Sequence, residues 1–99
     1  MPLDITEYTS LASDSSGNVI PTGLEPSRLV QQVQITGASA QSAAVGDVTR
    51  FVRIHTDATC RIAFGANPTA TSGSQRLQAG GTEFFGVRPG TKIAVISST

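Results

Sequence analysis

The sequence predicts an all-β fold, an antiparallel β-sandwich of jelly-roll type carrying an extended N-terminal arm, on three observations. Between Thr49 and Ser98, short runs of β-branched and aromatic residues alternate with turn clusters about every ten residues. Within those runs apolar residues recur at every second position, as in Cys60, Ile62 and Phe64. No segment keeps a 3.6-residue period, and only Ser39 to Val45, with its alanines, would tolerate a turn or two of helix. An intertwined β-trimer is the competing arrangement, since short strands beside a flexible arm also suit fibre proteins. No repeat of fixed period is present, which weighs against a solenoid.

The first element of the body is LVQQVQITG, in which Leu29, Gln31, Val33 and Ile35 share one face and Val30, Gln32 and Gln34 the other, ending at Gly37. A short strand is expected at Gln41 to Val45, before a turn at Gly46-Asp47. Thr49 to Thr56 has strong β propensity, with Val52 and Ile54 on its apolar face and Phe51 at its entry. Asp57-Ala58-Thr59 reads as a hairpin-length link into Cys60 to Gly65. Ala66 to Ser74, with Asn67-Pro68 and its hydroxyls, reads as a long loop at the rim, available for contact. Gln75 to Gln78 is a further short strand, and Gly80-Gly81 turns the chain into Thr82 to Val87. Arg88-Pro89-Gly90-Thr91 has the residue order of a type II turn. Lys92 to Ser97 is continuously apolar at Ile93 to Ile96, as a strand covered on both faces should be. The expected core is Phe51, Ile54, Cys60, Ile62, Phe64, Phe84, Val87, Ile93 and Val95.

Residues 1–27 read as an arm and 28–99 as the body. SLASDSSGNVIPTGLEPS is rich in Ser, Gly, Pro and Asn, and Pro21 and Pro26 remove donors and restrict their neighbours. The arm carries Asp4, Glu7, Asp14 and Glu25 and no Lys or Arg, giving −4; the body carries seven basic and three acidic residues, giving +4. Spaced apolar residues, Leu3, Ile5, Tyr8, Leu11, Val19, Ile20 and Leu24, would anchor the arm to a neighbouring subunit rather than to its own body. Six of the seven cations are arginines: Arg28, Arg50, Arg53, Arg61, Arg76 and Arg88. Arg suits partly desolvated ion pairs at interfaces, so these are the candidate partner contacts on the body.

The chain of 99 residues is one domain with a thin core, because much of its apolar share, once Gly is counted, is Ala and Gly, and there is no Trp. A homo-oligomer, a trimer first, would complete its burial. The single Cys60 excludes an intrachain disulfide and reads as a small buried hydrophobe. The start MPLDITEYTS has neither the basic nor the apolar region of a signal peptide, and no run approaches the roughly 18 apolar residues of a membrane span. The expectation is therefore synthesis in the cytoplasm, without membrane contact.

Residues for covalent chemistry are missing. The sole histidine, His55, stands near Asp57 without a nucleophile elbow and reads as a surface histidine paired with a carboxylate. One His, one Cys and scattered acids give no metal-ligand spacing, and the glycines fall at turns without a nucleotide-binding pattern. Dispersed cations and core-directed phenylalanines argue against nucleic acid. The expectation is a protein that is not an enzyme and uses no cofactor.

Three segments carry a family resemblance: QVQITGASAQSAAV, TRFVRIHTDATCRIAFGANPTA and LQAGGTEFFGVRPGTKIAVIS. In sequence order they show an FVR strand, C-x-I-A-F-G-x-x-P-T-A, an L-x-A-G turn, E-[YF]-F-x-V and a closing K-I-A-V-I. From Gln32 to Ser97 the chain resembles small virion proteins of tailed bacteriophages. That resemblance implies a structural virion component, first a capsid decoration (cement) protein that binds the major capsid protein at the outer surface of the virion. A tail, neck or head-fibre protein is the alternative within the particle. A carbohydrate-binding module of a receptor-binding apparatus is the alternative outside that class, although Trp platforms are missing and the only Tyr is Tyr8.

Overall fold

Ten strands and no helix make up residues 1–98, the part of the chain described by the computed structural model. In chain order they are β1 (Pro2–Tyr8), β2 (Leu11–Ser13), β3 (Val19–Gly23), β4 (Leu29–Gln34), β5 (Ala40–Gln41), β6 (Phe51–Thr56), β7 (Cys60–Gly65), β8 (Gln75–Leu77), β9 (Thr82–Gly86) and β10 (Lys92–Ser97). Two antiparallel four-stranded sheets, β4-β1-β6-β9 and β5-β10-β7-β8, face each other, and β2-β3 forms a two-stranded hairpin of its own.

The alternation of apolar residues fixes which face of each strand turns inward. Leu3, Ile5, Val33, Val52 and Ile54 of the first sheet pack against Cys60, Ile62, Leu77, Ile93 and Val95 of the second, with Val45 closing one side. Fully burying one such aliphatic side chain is worth about 1.5–3 kcal/mol. Ile93, Ala94 and Val95 are all fully buried, because β10 is covered on both faces. The inner cover is the first sheet. The outer one is the segment after β7, which folds back over the second sheet with Pro68 and Ala70 buried.

That fold-back corrects the expectation of a rim loop. Gln41 Nε2 donates to Asn67 Oδ1 and to the Pro68 carbonyl, both at 2.8 Å, and Ala70 N donates to Ser39 Oγ at 2.9 Å. The Asp57-Ala58-Thr59 link is corrected too. It crosses from one sheet to the other, because both edges of β6 are already taken by β1 and β9. The segment 39–45 holds no helix, and the strand expected at Gln41 to Val45 is confined to the two residues of β5.

The largest correction concerns the chain start. Residues 2–8 are not an arm but an interior strand of the first sheet, with Ile5 opposite Gln31 of β4 on one side and Ile54 of β6 on the other. Leu3 and Ile5 are completely buried and Tyr8 is 5% exposed. Pro2 causes no conflict because a strand's first residue can forgo its N–H. Residues 13–22 are all exposed, so the distal part of the hairpin stands clear of the sandwich, and the molecule measures 47 × 26 × 20 Å. Two of the expected core phenylalanines also differ. Phe84 lies on the outer face of β9 and is 53% exposed, Phe51 is half-buried on the outer face of β6, and Phe85 packs against the core beside Phe64.

Candidate partner-binding surface

The hairpin is held at its base by a carboxylate buried beneath it. Glu7 ends the inward-facing series Leu3, Ile5, Glu7 and is fully buried. Its Oε1 accepts from Arg28 Nη1 at 3.1 Å, Gly46 N at 3.0 Å and Thr49 Oγ1 at 2.7 Å, and its Oε2 from Gln31 Nε2 at 2.9 Å. Burial pushes the carboxyl pKa up, but the bonds from Gly46, Gln31 and Thr49 and the Arg28 charge outweigh it and hold Glu7 below the usual value. A side chain at Gly46 would overlap the Arg28 guanidinium, so the glycine gives Arg28 room to reach the carboxylate.

A second tie joins Tyr8 to the segment between β3 and β4. Its hydroxyl donates to Glu25 Oε2 at 2.6 Å, and this bond, more than burial, raises the phenol pKa. Its ring leaves no space for a Cβ at Gly23 and stacks on Phe51 with centroids 5.2 Å apart. Leu24 N donates to Ser10 O and Arg28 N to Glu7 O, which close the base of the excursion. At the far end Asp14 Oδ1 accepts from Ser16 N and Asn18 N, both at 2.9 Å, and Gly17 takes φ +84° to complete the turn. The bonds from the backbone of Asn18 and Ser16 hold the Asp14 carboxyl below its ordinary value.

Between these fixed ends the hairpin presents uncovered apolar side chains. Val19 is 65% exposed, Leu24 50% and Leu11 42%, and Ile20 is exposed as well. Leu11 and Pro21 also join Phe51, Phe84, Phe85 and Gly86 to line an apolar groove of about 390 Å³ between the hairpin base and β6–β9.

Of the expected anchors, Leu11, Val19, Ile20 and Leu24 are exposed and available to a partner. Leu3, Ile5 and Tyr8 are spent on the protein's own core, because the first sheet needs a strand between β4 and β6. Among the arginines, Arg28 is committed to Glu7. Arg61 and Arg76 stand directly opposite each other on the outer face of β7–β8. Arg61 donates to the Ser74 carbonyl at 3.0 Å and to Ser98 Oγ at 3.4 Å. Arg53 lies on the outer face of β6 opposite Phe84, Arg50 just precedes β6, and Arg88 follows β9 near Arg50. The structure does not bring the six together. Among the described residues the contacts between basic side chains and carboxylates are Arg28–Glu7 and His55–Asp57, the latter at 3.5 Å, so Arg50, Arg53, Arg61, Arg76 and Arg88 meet no carboxylate there.

His55 also shares a 2.8 Å hydrogen bond between Nδ1 and Thr82 Oγ1, and its pairing with Asp57 matches the surface role read from the sequence. Cys60 is fully buried and burial pushes its thiol pKa up, as for a packing residue. Among the described residues no three His, Cys, Asp or Glu side chains lie close enough to hold a metal ion. Among the described residues there is no helix long and apolar enough to cross a membrane.

Sequence reasoning missed the Glu7 centre, whose five residues are scattered from 7 to 49. The one available signal was the alternation of PLDITEY, where Leu3 and Ile5 mark an inward face that Glu7 continues. No family model, no curated protein and no solved structure matches this chain.

Proposed function

We propose that this protein is a capsid decoration protein of a tailed bacteriophage: it binds the outer surface of the assembled shell and stabilises junctions between major capsid subunits. The observation that carries the reading is the β2–β3 hairpin. It has a base fixed to the body at Glu7 and Tyr8, and its Leu11, Val19, Ile20 and Leu24 are uncovered by the protein itself. An apolar surface of that kind on a small protein is an interaction site. Arg53 and Arg76, on the two outer faces and without a carboxylate partner among the described residues, add positions for a partner's carboxylates. The resemblance of residues 32–97 to small phage virion proteins supports the same reading.

In this reading the protein is made in the host cytoplasm, works as a homotrimer and ends on the virion surface. The same reading takes the sheets β4-β1-β6-β9 and β5-β10-β7-β8 as a jelly roll with β1 in the place of its closing strand, which would explain why the chain start lies inside the first sheet. The test is binding to purified capsids that lack the protein. Val19→Asp with Ile20→Asp leaves the body intact and weakens binding at least about tenfold, or about 1.4 kcal/mol; undiminished binding overturns the hairpin's role. Copy number in virions decides the component. A count comparable to that of the capsid subunits supports decoration, and a handful assigns the protein to neck or tail.

A further inference from the structure

The two sheets treat their edges differently. The second sheet ends in β5 and β8, two and three residues long, and short edge strands are a recognised protection against unwanted pairing. The first sheet ends in β4 and β9, six and five residues long. LVQQVQ and TEFFG contain no Lys and no Pro, and both pair with their inner neighbours without a bulge. Each bears exposed apolar side chains: Leu29 at 45% and Val30 at 56% on β4, and Phe84 at 53% on β9.

The hydrogen-bonding groups of these edges can be assigned from the ladder. Ile35 N donates to Met1 O at 2.9 Å, so at alternate positions Leu29, Gln31 and Val33 bond toward β1, and the N–H and C=O of Val30, Gln32 and Gln34 point away. Val87 N donates to Arg50 O at 3.0 Å and Thr56 N to Gly81 O at 3.1 Å, which leaves Thr82, Phe84 and Gly86 pointing away from β6. The sheet alternates in direction from β4 through β1 and β6 to β9. A second copy set with its β4 beside β9 of the first therefore continues the antiparallel alternation.

We propose that copies of this chain join edge to edge, β9 of one pairing antiparallel with β4 of the next, so that the first sheet runs on through a closed ring. With Phe84 opposite Val30 of the neighbouring copy, outward-pointing groups meet outward-pointing groups at Phe84–Val30 and Thr82–Gln32. The most exposed side chains of the two edges then cover each other on the outer face, and Phe85 meets Leu29 on the inner one. Charge agrees with this register. Beyond the ladder Arg88, which meets no carboxylate among the described residues, comes to the Glu25–Arg28 turn of the neighbour, where Glu25 is exposed. The junction is heterologous, two different surfaces meeting, and such junctions form rings when the rotation closes. It is a property of the free protein and does not rest on the capsid reading.

Sedimentation of the free protein tests it, with Val30→Lys and Phe84→Lys, both at side chains that face solvent within one copy. The wild type associates with rising concentration, and each variant alone associates at least about tenfold more weakly while keeping the wild-type circular dichroism. An equimolar mixture of the two retains one sound junction and gives a heterodimer and nothing larger. A wild type that stays monomeric, or a mixture without heterodimer, overturns the proposal. So does association lost in the Phe84 variant but kept in the Val30 variant, the mark of a junction between two β9 edges. Should either lysine variant fail to fold, Gln32→Cys mixed with Thr82→Cys gives a mixed disulfide dimer on oxidation, since the native Cys60 is buried. Absence of the mixed species overturns the pairing.

Discussion

Glu7 and Arg28 meet at 3.1 Å across the mouth of the hairpin excursion, one the penultimate residue of β1, which enters it, and the other just before β4, which leaves it. The carboxylate is fully buried and the guanidinium lies at the surface. Such a pair stabilises only because Gln31, Gly46 and Thr49 supply the remaining hydrogen bonds. The hairpin's foundation is therefore polar and buried, while its working surface is apolar and exposed.

Glu7→Ala leaves four donors without their acceptor and costs about 3–5 kcal/mol, read from urea unfolding midpoints. Glu7→Gln keeps the shape but turns an amide N–H toward donors that need an acceptor, and costs less, about 1–3 kcal/mol. Equal stability of all three proteins would show that the centre contributes nothing.

Acid should act through the same residue. The folded-state pKa of Glu7 lies below its unfolded value, so its contribution is fully present above the unfolded value and is lost as pH falls through the folded one. Unfolding midpoints followed from about pH 6 down to about pH 3 should fall more steeply for the wild type than for Glu7→Gln, whose side chain cannot take up the proton.

Deletions separate the chain start from the hairpin. Replacing residues 11–23 by a short glycine linker keeps the fold, because Ser10 O and Leu24 N already meet at 3.0 Å. Removing residues 2–8 takes out an interior strand together with Leu3, Ile5 and Glu7, and abolishes cooperative melting by circular dichroism.

Two substitutions contrast the faces of the first sheet. Ile54→Ala opens a cavity in the core and costs about 2–5 kcal/mol. Phe84→Ala costs the isolated copy less, about 1 kcal/mol, since its side chain is 53% exposed and loses chiefly the tilted contact with the Phe51 ring at 6.2 Å. Thermal or denaturant melts at low concentration measure both.

The sequence by itself determined the class of fold and most of the body's strands. Period-two alternation marks Leu29, Val33, Ile54, Cys60, Ile62, Ile93 and Val95 locally, because neighbouring residues on a strand must face opposite ways. It also marked Ile93 to Ile96 as covered on both faces, since no polar residue interrupts the run. Only the tertiary structure decided the partners of each strand. Leu3 and Ile5 carry the same alternation as any core residue, but whether a chain start pairs inside a sheet depends on a vacancy between β4 and β6 that local sequence does not record. Phe84 and Phe85 are equal in propensity, and the register of β9 against β6 alone sends Phe84 outward and Phe85 toward the core. Glu7 reads as one more acid in a polar segment until folding gathers Arg28, Gln31, Gly46 and Thr49 around it. Burial of a charge is a property of the surroundings, and those come from distant parts of the chain.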